Sequence, residues 1–183
     1  MSFITATQFA TYSFFSNNLK TNSLTSSLLA GACSSFITTP FELCVIQKTK
    51  NPYITSYAIF KSNIHKHGYK FIFRGFTNCC MRESIYTCGL LSLTPYIESK
   101  IPIDSETQKS LYASCISGII SGVVTHPFDT IKANQQYFLY DKINYKELFT
   151  IKNLNRGLLC RTWRIMTTFF IINESNKFFI QYL

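Results

Sequence analysis

Thr125-His126-Pro127-Phe128-Asp129-Thr130-Ile131-Lys132 is the stretch from which the rest of the chain can be read: a proline, one residue, an acid, two residues and a base, at the end of a nearly uncharged run. Its first half occurs twice. Ser27, Gly31, Pro40, Phe41 and Glu42 return as Ser114, Gly118, Pro127, Phe128 and Asp129, each at an offset of 87 residues. Gly75 and Arg82 return as Gly157 and Arg164 at an offset of 82, with an arginine before each glycine, Arg74 and Arg156. Self-similarity at a fixed spacing marks a repeat architecture, and the two offsets differ only through the intervening connection, where insertions cost little. Each copy predicts an apolar helix ending near Pro-Phe-acid, a polar connection, and an Arg-Gly that opens a second apolar helix carrying an inward arginine.

The uncharged runs are long. No Asp, Glu, Lys or Arg occurs from Thr21 to Phe41, and from Ser110 to Phe128 the only titratable side chain apart from tyrosine and cysteine is His126; about 20 apolar residues suffice to cross hydrocarbon. The mean hydropathy of +0.09 is nonetheless low for helices facing lipid all round, and fits helices that keep one polar face around a wet cavity. In the first connection Tyr53, Tyr57, Phe60 and Ile64 recur every three or four residues. That spacing describes a short amphipathic helix, on a membrane surface or in a soluble fold alike. The same connection carries Lys50, Lys61, Lys66, Lys70 and Arg74 without an acid, whereas Glu98, Asp104 and Glu106 face Lys100 and Lys109 in the link between the copies. The second connection, with Lys142, Lys146, Lys152 and Arg156 against Asp141 and Glu147, repeats the basic bias, so both connections are expected on the positive side of the membrane.

A chain of 183 residues with a formal charge of +9 needs an acidic partner, and nucleic acid, an anionic membrane or an anionic solute would all serve. Nucleic acid is not expected, since no basic run is interleaved with aromatics. The seven cysteines include no C-x-x-C pair, which argues against a disulfide framework or a zinc site. His65 and His67, flanking Lys66, read as solvated loop residues, not metal ligands. With no nucleophile-base pair, P-loop or glycine fingerprint, neither catalytic residues nor a cofactor are expected. Met1-Ser2-Phe3-Ile4 offers no basic start for a cleavable leader.

The run Thr125 to Lys132 resembles the signature of the mitochondrial carrier family. Gly68, four residues, then Phe73-Arg74-Gly75 reproduces the signature's second half, with His67 where the family usually has an acid. Gly31, Gly118 and Gly122 fit as small residues that let helices approach in lipid. The resemblance implies an all-α membrane bundle of kinked transmembrane hairpins with short matrix-side amphipathic helices, holding about two of the family's three repeats. Residues 1–20 are then expected to be the latter half of the last helix of a missing first repeat, 21–100 the middle repeat and 101–183 the last.

It also implies roles. Pro40 and Pro127 would kink their helices, and Glu42 would pair with Lys132 in a matrix-side gate. Asp129 would pair with a base on the absent helix, Val45 replaces a further base of that ring, and Gln136 would brace an ion pair by hydrogen bonding across it. Arg82, Glu83 and Arg164 would contact the substrate, with Arg161 assisting from the matrix side. The implied function is transport, by exchange, of a small anionic metabolite such as a di- or tricarboxylate across the mitochondrial inner membrane, of the cell's own organelle or a host's. Gln8-Phe9 and Cys160-Arg161-Thr162-Trp163-Arg164 look like the citrate and 2-oxodicarboxylate branch, whereas Arg82-Glu83 looks like amino-acid carriers; nucleotides stand third. A truncated or degenerate carrier without transport activity is the alternative, favoured by Val45 and Asn155. The implied partners are the metabolite and the bilayer, cardiolipin included, and the implied state is a monomer.

Overall fold

The computed structural model describes residues 2–18, 22–50, 52–138 and 157–182. Every regular element among them is helical. Helix α1 is Ser2–Asn18, α2 Ser23–Lys50 and α3 Ser56–His67. A 3-10 turn, Tyr69–Phe73, then leads to α4, Phe76–Cys88. A π turn, Gly89–Leu93, passes α4 on into α5, Thr94–Glu98. The second copy contributes α6, Glu106–Tyr137, and α7, Leu158–Tyr182. The second basic connection, with Asn155 and Arg156, lies outside the described residues.

Burial in this bundle is inverted relative to a protein that folds in water. On α2 the residues turned inward are Ser26, Ser27, Ala30, Gly31, Ser34, Ser35, Thr38 and Thr39, while Leu24, Leu28, Leu29, Phe36, Phe41 and Val45 are exposed. On α6 Ser110, Ser114, Ser117, Gly118, Ser121, Gly122 and Thr125 are buried, and Leu111, Ile116, Ile119, Ile120, Val123 and Val124 face out. In water this arrangement would forfeit the hydrophobic driving force, but in lipid it is the expected one, because helices there associate through small residues and hydroxyls. Many of the buried hydroxyls donate to carbonyls one turn back, as Thr38 does to Ser34 at 2.9 Å and Thr125 to Ser121 at 2.7 Å. Both helices are also long and apolar enough to cross a membrane. The outward apolar faces and inward hydroxyls thus mark a membrane bundle.

Each repeat is a hairpin, α2 packed on α4 and α6 on α7, with α4 and α5 joining the pairs across α6 and α1 lying along α2. Gly31 and Gly118, one offset apart, make the two hairpins close. A Cβ on Gly31 would stand 2.5 Å from the Glu83 carbonyl oxygen, and one on Gly118 would stand 2.8 Å from Met166 Cα. The second offset has a backbone meaning. Gly75 (φ 79°) and Gly157 (φ 82°) both turn the chain through the left-handed region just before α4 and α7, a conformation that costs other residues about 1 kcal/mol or more.

Three sequence expectations need correcting. The first helix of each copy does not end near Pro-Phe-acid: α2 runs through Pro40 to Lys50, and α6 through Pro127 to Tyr137. Proline removes one N–H and crowds the preceding turn, which bends a helix without necessarily ending it, and here the residues beyond each proline are held by inward contacts at Leu43, Gln47, Lys132 and Gln136. In the first connection the helix starts only at Ser56, so Tyr53 lies outside it. Thr55 caps it, accepting from the Ala58 N–H, and Ile59 and Ile64 face inward, Ile64 against Leu43 and Phe71, while Tyr57 remains exposed. His65 and His67 are part of this helix and not of a loop.

Candidate substrate site and gate

Charges from α2, α4, α6 and α7 meet inside the bundle. Lys132, 2 % exposed, pairs with Glu42, the pairing that the family resemblance implies. Arg82 lies at the centre: its guanidinium is 2.9 Å from Glu42 Oε1 and 3.1 Å from Asp129 Oδ1, and it also pairs with its neighbour Glu83. Asp129 is held a second time, by Arg161, which donates to Thr125 Oγ1 at 2.9 Å as well. From α1 the Gln8 amide donates to Glu83 Oε2 at 2.9 Å. The result is one continuous chain of charges, Lys132, Glu42, Arg82, Asp129 and Arg161, with Glu83 and Gln8 at its side. Buried ions lose several kcal/mol of hydration each, recovered only by close and multiple partners, and alternating signs along one line supply them.

A cavity of about 160 Å³ opens beside this chain, walled by Gln8, Glu42, Glu83, Arg82, Arg161 and Arg164 among others. A wider hollow of about 410 Å³ shares Arg161 and Arg164 with it and is lined as well by His126, Asp129 and Cys160. Arg164 borders both spaces and is itself exposed. Among the described residues no acid pairs with it.

The four arginine and glutamate positions expected at the substrate are thus brought together, and so are three of the four gate positions. The separation between the two groups is not observed. Arg82, expected at the substrate level, is bonded to both gate acids, because a guanidinium on a long side chain can reach a helical turn away. Asp129, expected to need a base from elsewhere, is taken by Arg82 and Arg161. Gln136 does not brace an ion pair: its side-chain amide donates to the Arg74 backbone carbonyl at 3.2 Å, and its backbone carbonyl accepts from the Gln47 amide. It sits a turn beyond Lys132, where Arg74, donating to the Gln135 carbonyl at 2.9 Å, has already drawn the turn before α4 against α6. Val45 faces outward, 65 % exposed.

Sequence reading missed a second charged cluster at the opposite end of the bundle. Lys177 of α7 pairs with Glu98 at the end of α5 and lies 3.6 Å from Glu106 at the start of α6. Asn173 donates to Glu98 at 3.0 Å and to Ser110 at 2.6 Å. The available signal was the polar run Asn173-Glu174-Ser175-Asn176-Lys177 between apolar stretches of α7, which in a membrane must find partners.

An apolar exterior, hydroxyl-lined helix contacts and an internal row of ion pairs beside a cavity define a multi-pass helical membrane protein built from repeated hairpins. Residues 20–101 match the family model described as mitochondrial carrier protein. Over 113 residues the chain is 26 % identical to the mitochondrial 2-oxodicarboxylate carrier 1 of Saccharomyces cerevisiae, an alignment covering 58 % of this chain and 36 % of that protein. Over residues 20–101 the chain is thus similar to the mitochondrial carrier family, a likeness that supports the mitochondrial inner membrane as its location. It spans about a third of the length of the curated relative it matches.

Proposed function

We propose that the chain moves a small carboxylate, most simply a di- or tricarboxylate, across the inner membrane by alternating access, in exchange for a second anion. The observation that carries this reading is Arg164, an exposed arginine with no acidic partner among the described residues, in one cavity with Arg82 and Arg161. An uncompensated guanidinium inside a membrane bundle is costly until an anion meets it, and carboxylates meet arginines in bidentate pairs. The printed name of the yeast relative, a 2-oxodicarboxylate carrier, supports the same solute class. In this reading 21–100 and 101–183 act as two repeats and 1–20 supports the first, as Gln8 does through Glu83. Pro40 and Pro127 serve as the bends that bring Glu42, Asp129 and Lys132 together, and the end bearing Lys48, Lys50, Lys66, Lys70 and Arg74 faces the matrix.

Reconstitution in liposomes tests the proposal. Uptake of labelled 2-oxoglutarate or citrate should exceed that of protein-free vesicles and fall to their level in Arg164→Ala. Preference for ornithine would turn the assignment to an amino-acid carrier, with Glu83 receiving the ammonium group. Absence of uptake for all three would favour a carrier-like protein without transport activity.

A further inference from the structure

The 160 Å³ cavity offers an entering molecule more than cations, because its wall also carries the neutral polar side chains Thr5, Gln8, Thr38, Tyr86 and Thr168. Four of the five are already engaged. Thr38 donates to the Ser34 carbonyl at 2.9 Å and Thr168 to the Arg164 carbonyl at 2.8 Å, so neither can turn to a ligand without giving up a bond inside its own helix. The Gln8 amide is committed to Glu83 at 2.9 Å and Ser34 at 3.5 Å, and Thr5 is held within the protein as well. The Tyr86 hydroxyl differs: it makes no hydrogen bond among the described residues, and it is open to the cavity rather than enclosed by protein.

Position and packing aim this hydroxyl. Tyr86 stands one turn after Arg82 on α4, so the two side chains share a helix face. Its ring meets the fully buried Phe169 of α7 edge to face, with centroids 5.1 Å apart, and Leu90 and Ile165 complete that apolar cluster. A ring wedged in this way has both side-chain torsions fixed. The charges of Glu83, Arg164, Arg82 and Arg161 all act on Tyr86, which sets its hydroxyl among the groups that would receive an anion.

Arginines suit carboxylates, whereas a phenol supplies a single neutral donor. A ligand with no acceptor opposite that donor leaves it unpaired or served by a water that must stay behind, and either forfeits about one neutral hydrogen bond. We propose that Tyr86 is a specificity-determining residue of the cavity: its hydroxyl donates to an oxo or hydroxyl oxygen on the carbon next to a substrate carboxylate, so that dicarboxylates substituted there are favoured over plain ones. This inference rests on the proposed carboxylate site and adds to it a reader of the carbon chain between the carboxylates.

The 183-residue chain in lipid nanodiscs would be assayed for binding of labelled 2-oxoglutarate and for its displacement by glutarate, which has the same length and the same two carboxylates but no oxo group. The parent is expected to hold 2-oxoglutarate about fivefold more tightly than glutarate, the worth of one neutral hydrogen bond. Tyr86→Phe keeps the ring and its packing on Phe169. It should weaken 2-oxoglutarate about fivefold and leave glutarate unchanged, which abolishes the preference and shows at the same time that the variant is folded. If the parent does not distinguish the two ligands, or Tyr86→Phe retains the parent's preference, Tyr86 does not read the substituent and the inference falls. It falls equally if Tyr86→Phe weakens both ligands alike, because the hydroxyl then serves a carboxylate or the fold. In all these cases the carboxylate site stands, whereas a parent that binds neither ligand removes the site itself.

Discussion

Lys132 shows what one enclosed charge does to this bundle. Its side chain is 3 % exposed and paired with Glu42, so truncation would leave Glu42 sharing Arg82 with Asp129 and Glu83. Lys132→Ala is expected to cost about 3 kcal/mol, the cost of breaking a buried pair, visible as a lowered thermal unfolding midpoint in detergent. Replacing the pair together, Glu42→Leu with Lys132→Met, should restore most of that stability while destroying closure, since apolar substitutes of similar volume often match a buried ion pair in stability. The Glu42–Lys132 pair was legible in the sequence only through the family resemblance, which says which acid answers which base; the repeat alone places Glu42 and Asp129 at equivalent turns. The partners of Arg82 and Asp129 were not, because helix position fixes where a side chain starts and not which of several carboxylates its end will reach. Gln136 was misplaced for a related reason: an amide can bond to an ion pair or to a peptide carbonyl, and here it takes the Arg74 carbonyl.

At the scale of the helix, glycines with the same name do different work. Gly31 lies where a Cβ would stand 2.5 Å from the backbone of α4, whereas at Gly157 nothing lies within 4 Å and only the left-handed φ of 82° resists substitution. Gly157→Ala should therefore cost about 1 kcal/mol, whereas Gly31→Ala must push α2 off α4 and cost more, about 3 kcal/mol by the scale of overpacking. Thermal unfolding of the two variants side by side would rank them, and equal losses would refute the close-approach argument. The hairpins themselves were legible, since Gly31 and Gly118 recur at the same offset as the prolines. The length of α2 and α6 beyond those prolines was not, because a proline disturbs one turn while inward residues further on decide whether the helix resumes.

Across the whole molecule the governing fact is polarity turned outside in. Ile120 lies on the outer face of α6 and Ser117 on its inner face, 45 % and 0 % exposed. Ile120→Lys should oppose insertion by about 3 kcal/mol and increase the fraction of chain released by alkaline washing of membranes. Ser121→Leu on the inner face should leave membrane association intact but separate α6 from Gly89, where even a Cβ would stand 1.9 Å from Ser121 Oγ. Ion pairs occupy both ends of the bundle in this structure, Glu42 with Lys132 at one and Glu98 with Lys177 at the other.

The π turn at Gly89–Leu93 sets the angular phase of everything that follows it. Thr94 returns its N–H to the Gly89 carbonyl, donates its hydroxyl to the same oxygen at 2.9 Å and meets Ser117 at 2.6 Å, so the wide turn carries one surplus residue. Deleting a residue there would rotate α5 by about 100° and swing Glu98 away from Lys177 and Asn173. The same deletion in the irregular stretch at 101–105 would be taken up as slack. Counting residues through that turn therefore matters to the outer ion pair as much as the identity of Glu98 itself.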